Sequence, residues 1–275
     1  MSSYKIFSRS EKSRDKEHKV NEDCYIYTEY CFMNDERIKI LAVADGMGGL
    51  SDGEKASFHA VEGFSKEFYR LVLNSYMTSQ YDNFSMTHYA DRLEEIIKNA
   101  FCEANRNVCK NANPFAETGT TLSVVVILSD YALVANVGDS PVYYYNSYTD
   151  EFKMVSKIHT RAEKNVEMGI YDRYSKEYYA NSHIVYKSLG EKEELNENDI
   201  YVNTIGYIRE KDMFILGTDG AFGLLKEGEI FRVIKETKYS QALKNLFSEA
   251  RVDKNDDQTA IMYCVCGEEE LWADF

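Results

Sequence analysis

Apolar residues along the chain occur in short runs and in longer segments with a repeat of three to four positions. Segments rich in Val, Ile, Tyr and Leu that end in turn residues predict seven strands. The strands cover residues 23–28, 38–44, 121–128, 131–137, 142–145, 213–217 and 259–266. Only Ser129 and Asp130 separate the third segment from the fourth, so we expect these two to pair as an antiparallel hairpin.

Helical periodicity lies between the strands. Apolar positions in residues 91–110 step by three and four, which predicts an amphipathic helix, and residues 53–72 and 240–252 repeat the pattern. Residues 163–168 predict a short helix and residues 171–181 an irregular loop. Antiparallel strands with long helices between them favour an α+β domain in which helices cover the sheets.

Residues 146–212 form a polar, tyrosine-rich stretch with weak periodicity. We interpret it as a flap-like insertion that acts as a lid or substrate platform, while a plain surface excursion fits equally well. Residues 267–275 form an acidic tail. The whole chain, residues 1–275, is expected to be a single domain.

Composition narrows the possible functions. Hydrophobic residues make up 44% of the 275 positions, which is enough for a large core. A formal net charge of −14 disfavours nucleic acid as a ligand, because phosphate backbones attract the opposite sign. The 6 cysteines include no Cys-x-x-Cys pair, and free buried thiols are the favoured interpretation. Since no segment resembles a signal peptide or a membrane span, we expect a cytoplasmic protein that binds no membrane.

Acidic residues recur where apolar runs end. Asp45-Gly46-Met47-Gly48-Gly49 follows one such run, and Asp139 and Asp219 follow two more. Asn21-Glu22-Asp23 and Asn255-Asp256-Asp257 lie at opposite ends of the chain and abut apolar or aromatic runs. Each motif alone is more often a turn. Carboxylates brought from remote parts of a chain to a few strand ends nevertheless indicate a site for a hard cation such as Mg²⁺ or Mn²⁺.

Such a site suggests a reaction. Two ions about 3.5–4 Å apart hold a bridging water, lower its pKa and bind a phosphoryl oxygen. The pattern therefore predicts hydrolysis of phosphate esters by direct attack of water, without a covalent enzyme intermediate.

Taken together and in order, these segments resemble the metal-dependent protein phosphatases of the phosphatase 2C type (PPM family), in their bacterial form. The resemblance runs from about residue 21 to residue 265. Its motifs are Asn21-Glu22-Asp23, Val43-Ala44-Asp45-Gly46-Met47-Gly48-Gly49, Gly119-Thr120-Thr121, Val137-Gly138-Asp139-Ser140, Thr218-Asp219-Gly220 and Asp256-Asp257-Gln258-Thr259.

The resemblance implies a four-layer αββα sandwich, with two mainly antiparallel sheets flanked by helices. It implies a monomeric protein-serine/threonine phosphatase that uses two Mn²⁺ or Mg²⁺ ions, with a third, weaker ion in many bacterial members. Its partners would be phosphorylated protein substrates and a cognate Ser/Thr kinase. Matching motifs assign the metal ligands as Asp23, Asp45, Gly46 through its carbonyl, Asp219 and Asp256, with Asp139 at the third ion. Asp23, Asp45, Asp219 and Asp256 would act in catalysis through metal-bound water.

The sequence departs from the family pattern at the phosphate-binding positions. Pro141 stands where most members carry an arginine, and proline offers no donor. His18, with Lys19 beside it, stands where a second family arginine grips the substrate phosphate. We expect His18 and Lys19 to contact substrate phosphate, with Arg14 as an alternative, although neither matches the bidentate fork of arginine.

The general acid is unassigned, because Met47 stands where animal members carry a histidine. His59 and His159 are candidates, but a structural or surface role is the commoner fate of such histidines. Three functions stay open: an active phosphatase, a pseudophosphatase that acts as a phosphoprotein-binding scaffold, and a phosphatase dedicated to one partner.

Overall fold

The computed structural model describes residues 3–32, 36–48, 52–79, 86–112, 118–250 and 256–267. The strands are β1 (Ser3–Glu11), β2 (Asp23–Cys31), β3 (Arg37–Gly48), β4 (Thr118–Thr120), β5 (Leu122–Leu128), β6 (Tyr131–Val137), β7 (Val142–Asn146), β8 (Glu151–Met154), β9 (Tyr201–Ile205), β10 (Met213–Gly217) and β11 (Gln258–Cys266). The helices are α1 (Gly53–Ser79), α2 (Met86–Asn111), α3 (Arg161–Glu167), α4 (Lys176–Asn181), α5 (Asp219–Phe222), α6 (Glu227–Glu236) and α7 (Tyr239–Ala250), with a 3₁₀ turn at Glu197–Asp199.

Two antiparallel sheets lie face to face. The first sheet has the strand order β1-β11-β10-β7-β8, and the second has the order β2-β3-β5-β6-β9, with β4 paired to the end of β3. Helices α1 and α2 pack on the outer face of the second sheet through a cluster that includes Phe64, Phe68 and Phe101. Helices α6 and α7 cover the outer face of the first sheet. This architecture confirms the α+β, four-layer αββα prediction.

Strand β3 shows how the layers are specified. Ile40 and Ala42 belong to the cluster beneath α1 and α2, whereas Leu41 and Val43 belong to the apolar layer between the sheets. Successive side chains of a strand point to opposite faces, so the alternation sorts them into the two layers. Asp45 continues the series of Leu41 and Val43. Its position therefore faces the space between the sheets, at the end of that layer.

The predicted strands all form. β5 and β6 pair in the expected hairpin, in which Leu128 lies opposite Tyr131. The periodicity did not predict β1, β4, β8, β9 or α6. β1 is the outermost strand of its sheet and carries Lys5, Arg9 and Glu11, so it lacks the apolar alternation of a half-buried strand.

The stretch 146–212 is partly integral to the sandwich. β8 lies within it and pairs with β7, and β9 pairs with β6 in the other sheet. The segment between them, residues 155–200, carries α3 and α4 and is termed the flap segment here. The expected irregular loop was wrong over Lys176–Asn181, where α4 forms behind an N-cap at Ser175.

Some expectations fall on residues beyond those described. Gly49, Asn255 and residues 268–275 of the acidic tail belong to this group. Among the helices that the structure does describe, none combines the length and the apolar character needed to cross a membrane.

Candidate functional site

Five aspartates lie at one end of the sandwich. Asp23 opens β2 and lies directly opposite Asp45 of β3. Asp139 follows β6, Asp219 follows β10 and begins α5, and Asp256 precedes β11. The antiparallel register places all of these strand ends at the same edge. The structure thus brings together the acidic positions that the strand-end pattern singles out.

Two threonines hold the backbone of Asp45. Its N–H donates to the Thr121 hydroxyl at 2.9 Å, and its carbonyl accepts from the Thr120 hydroxyl at 2.8 Å and from the Thr121 N–H at 2.9 Å. The Gly119-Thr120-Thr121 motif therefore fixes the position of the central aspartate.

The surroundings of Asp45 strongly disfavour the ionised form of its carboxyl. Burial raises its pKa well above the ordinary value, and the negative charges of four neighbours raise it further. These neighbours are Asp23, Asp219, Asp139 and Asp256. The same four residues are the other aspartates of the cluster, so the five carboxyls share one electrostatic environment.

Only one of the two carboxylate oxygens of Asp23 has a hydrogen-bond partner among the described residues. Its Oδ2 accepts from the Thr218 hydroxyl at 3.0 Å, which links the two sheets. Its Oδ1 is buried and has no hydrogen-bond partner among the residues described. Burial raises the pKa of this carboxyl to about 8. A buried carboxylate oxygen without a donor is unfavourable unless a proton or a cation satisfies it, so the site fits a bound metal ion.

Gly46 allows the backbone to pass close to the site. A Cβ at this position would lie 2.1 Å from the Gly53 carbonyl oxygen and 2.6 Å from that of Glu22, so no side chain fits. The Gly46 N–H donates to the Glu22 carbonyl at 3.1 Å. Gly220, beside Asp219, is equally confined, since its Cβ would lie 2.0 Å from the Asp257 carbonyl oxygen. Both Asp-Gly pairs therefore need glycine for a close approach of two backbones.

Asp257 has a role that the sequence did not reveal. Its side chain is buried and accepts from the Ser13 N–H at 2.6 Å and from the Glu22 N–H at 2.7 Å. The His18 Nε2 lies 2.8 Å from its Oδ2. Asp257 thus ties the β1–β2 connection to the start of β11. Its only sequence signal is its place beside Asp256.

The residues predicted to contact the substrate phosphate differ in their surroundings. The His18 ring is engaged with Asp257, so contact with a substrate phosphate would require the ring to leave this carboxylate. Lys19 and Arg14 are exposed. Their phosphate-binding role stays a prediction.

His159 secures the turn that carries Asp139. Its backbone N–H donates to the Gly138 carbonyl at 3.0 Å, and its ring Nδ1 accepts from the Gly138 N–H at 3.1 Å. An accepting Nδ1 leaves the proton on Nε2, so the ring is neutral. Burial, reinforced by Lys187 and Lys157, lowers its pKa to about 4. These contacts favour the structural role for His159; His59 lies on α1, 3.4 Å from Glu62.

A cavity of about 330 Å³ adjoins the aspartates, and its wall includes both Asp139 and Asp219. The flap segment supplies Arg173, which pairs with Glu163 at 2.6 Å. Tyr178 donates to the other oxygen of Glu163 at 2.5 Å. Sequence reasoning missed this group, because no local motif marks it.

The aspartates offer hard oxygen donors, which are the ligands that Mg²⁺ and Mn²⁺ prefer. In the part of the chain that the structure describes, no three His, Cys, Asp or Glu side chains already converge as a ready set of metal ligands. Like charges disfavour a closer approach of these carboxylates until a proton or a cation compensates them.

Comparisons with known proteins identify the family of the chain. Residues 12–258 match the family model described as Protein phosphatase 2C. The serine/threonine phosphatase stp of Listeria innocua is 24% identical over 234 residues, which cover 84% of this chain and 82% of that protein.

Solved structures share the fold. The serine/threonine phosphatase Stp1 of Staphylococcus aureus superposes with a TM-score of 0.70 at 22% identity, covering 97% of this chain and 96% of the other. The catalytic domain of the phosphatase PstP, in complex with two manganese ions, has a TM-score of 0.70 at 19% identity, with 96% and 99% covered. The chain therefore belongs to the protein phosphatase 2C family of protein-serine/threonine phosphatases.

Proposed function

We propose that the chain hydrolyses phosphoserine and phosphothreonine in proteins at a binuclear Mn²⁺ or Mg²⁺ centre. The observation that carries this proposal is the cluster of five aspartates, in which the buried Asp23 Oδ1 has no donor among the described residues. A phosphatase of the same family and fold contains two manganese ions. Family and fold thus agree with the chemistry of the carboxylates.

The ligands are proposed as follows. Asp23, Asp45, Asp219, Asp256 and the Gly46 carbonyl would hold two ions, and Asp139 would serve a third. When bound, such ions lower the pKa of water and neutralise charge on a phosphoryl group. Asp45 lies between the two sheets, and burial together with the negative charges of its neighbours raises the pKa of its carboxyl.

The chain's own contribution is to hold these oxygens in place. Thr218 orients one carboxylate oxygen of Asp23, and Thr120 and Thr121 fix the backbone that leads to Gly46. Asp257 anchors the connection that precedes Asp23 through the Glu22 N–H. A rigid frame of this kind keeps the oxygens in place when their mutual repulsion would separate them.

One feature favours a second candidate, a catalytically weak scaffold that binds phosphoproteins. Pro141 offers no guanidinium, and His18 is held by Asp257. Losing a bidentate phosphate contact costs about 1.5–3 kcal/mol unless another group replaces it. The aspartate cluster argues against the scaffold, because the negative charges of the other four aspartates disfavour the charge of Asp45, and bound cations would compensate this repulsion.

The first experiment measures phosphate release from a phosphothreonine peptide. The protein is stripped with a chelator and then titrated with Mn²⁺ or Mg²⁺, while metal binding is followed by calorimetry. Saturable release that tracks metal binding supports the proposal. Metal binding without release from peptide or p-nitrophenyl phosphate would favour the scaffold, and absence of metal binding would contradict the binuclear centre.

A phosphoprotein substrate fits the family of the chain. A cognate kinase, a monomeric state and a cytoplasmic location stay predictions from the sequence. The same holds for the absence of nucleic-acid and membrane partners.

A further inference from the structure

The cavity beside the aspartates lies between the flap segment and the loop that follows α5. Helix α4 forms one side, and the Tyr179 hydroxyl donates across to the Leu224 carbonyl at 3.3 Å. Lys226 lies over the ring of Tyr174, 5.7 Å from its centroid. These contacts join the two sides. The cavity wall also includes Asp139 and Asp219 of the candidate site.

Most of the cavity wall is apolar or aromatic. The α5 side contributes Phe222, Leu224 and Leu225, and the sandwich contributes Tyr143 and Pro141. The flap segment adds three tyrosines and an isoleucine, namely Tyr174, Tyr178, Tyr179 and Ile158. Such a wall favours an apolar ligand, since the gain on binding comes from removing apolar surface from water.

Glu163 and Arg173 of the flap side are paired with each other, and His183, which also belongs to the wall, is exposed. Glu163 is buried and takes the Arg173 guanidinium on one oxygen and the Tyr178 hydroxyl on the other. A ligand that recruited Arg173 would have to break this ion pair and leave the buried Glu163 undercompensated. The cavity is therefore not built to select a charged side chain.

Pro141 reinforces this character. It connects the turn of Asp139 to β7, and its carbonyl accepts from the Gly217 N–H at 3.2 Å. The position contributes a ring without any donor to the wall, which also includes Asp139 and Asp219.

We propose that this cavity binds a large apolar side chain that flanks the phosphorylated residue of the substrate, with an aromatic or leucine side chain as the best fit. The proposal rests on the proposed function, because the phosphorylated residue must lie at the aspartates. An extended peptide advances about 3.3–3.6 Å per residue, so side chains within about three positions of the phosphorylated one reach the cavity. Its volume of about 330 Å³ lies at the small end of the range for ligand pockets, which suits one side chain rather than a large ligand.

The test is a positional scan with phosphothreonine peptides. Phenylalanine, serine or aspartate is placed in turn at each of the three positions on either side of the phosphothreonine, and kcat/KM is measured with saturating Mn²⁺. We expect phenylalanine at one or more positions to raise kcat/KM by about tenfold over serine, with aspartate no better than serine.

A pair of variants locates the effect. Leu224→Asn changes a cavity wall residue that is 37% exposed, and we expect it to reduce the phenylalanine preference to within about twofold. Ile170→Asn is the matched control, since Ile170 is an exposed apolar residue of the flap segment that is not part of the wall, and we expect it to keep the preference. If Leu224→Asn does not fold, Tyr179→Ser replaces it.

The outcomes separate the two proposals. Release from no peptide contradicts the proposed function itself. Release without any flanking preference, or with a preference for a charged residue, overturns the cavity proposal alone. A phenylalanine preference that survives in the wall variant also overturns it, because the selective surface then lies elsewhere.

Discussion

Strands β2 and β3 carry a cross-strand pair of ionisable residues near each end. One pair consists of like charges and the other of unlike charges. At one end Asp23 lies opposite Asp45, and at the other end Glu29 lies opposite Lys39. All four positions share the face of the strands that points toward the other sheet. The same two strands and the same face thus present a pair of like charges and a pair of unlike charges.

The Glu29 end is compensated. The Tyr4 hydroxyl donates to Glu29 at 2.6 Å, and Arg37 and Lys39 lie 3.3 and 3.8 Å away. Burial acts to raise the pKa of Glu29, but the Tyr4 hydroxyl and the two cations outweigh it and lower the pKa. The aspartate end has the opposite balance, because burial and like charges both raise the pKa of Asp45. A fold stabilises its own buried charges where it can, so the end without compensation indicates a site for an external cation.

The largest expected effect comes from removing one carboxylate of the Asp23–Asp45 pair. We expect Asp45→Asn to lower metal-dependent kcat/KM for a phosphothreonine peptide by about a thousandfold or more, a loss of about 4 kcal/mol, because a central metal ligand is removed. Asp130→Asn, an exposed aspartate in the β5–β6 turn at the opposite end, is the matched control and should keep activity. Near-normal turnover in Asp45→Asn would contradict the binuclear centre.

The second expected effect is a pH dependence of stability that comes from His159, a buried neutral group near the aspartates. The pKa of His159 is lowered to about 4, below the ordinary value of 6.5, so the unfolded chain takes up a proton first as the pH falls. The stability that follows from a neutral His159 is present above pH 6.5 and is lost between about pH 6.5 and 4. We expect His159 to contribute a loss of about 3 kcal/mol, which urea unfolding across this range would show as the difference between the wild type and His159→Gln.

The histidine variants provide the check. His159→Gln retains an acceptor for the Gly138 N–H and should flatten this pH dependence. His183→Gln replaces an exposed histidine and should leave it unchanged. An equal slope in the wild type and His159→Gln would mean that another group titrates.

The smallest expected effect is on the free energy of unfolding, and it compares Asp23 with Glu29 near the two ends of β2. In metal-free protein at neutral pH, Asp23→Asn should raise the free energy of unfolding by about 1–2 kcal/mol, because asparagine avoids the cost of protonating a buried carboxyl whose pKa is raised from 3.8 to about 8. Glu29→Gln should lower it by about 1–2 kcal/mol, because Lys39 loses its compensating charge in a half-buried position. Changes of the same sign in both variants, measured by chemical denaturation, would show that the two ends do not differ as described.

Local patterns were sufficient for much of the fold. The apolar runs of β3, β5 and β6 predicted strands, because both faces of these strands are covered and their apolar residues have no other place. The strand-end aspartates were predicted for a related reason, since a carboxylate that follows an apolar run must leave the core where the strand ends. The edge strand β1 was missed because one sheet edge is open and tolerates polar residues.

The sequence by itself therefore determined that helices cover the sheets, that β5 and β6 form a hairpin, and that the acidic residues lie at strand ends. Each of these follows from the pattern of neighbouring residues. Only the tertiary structure decided which groups meet. Asp257 and Ser13 are 244 positions apart, yet they form one hydrogen bond, and no local pattern shows that the two residues meet. The pairing of Arg173 with Glu163 beside Asp139 and Asp219 likewise depends on where the flap segment packs. Such contacts join distant parts of the chain, and the free energy that selects them comes from the packing of the whole sandwich.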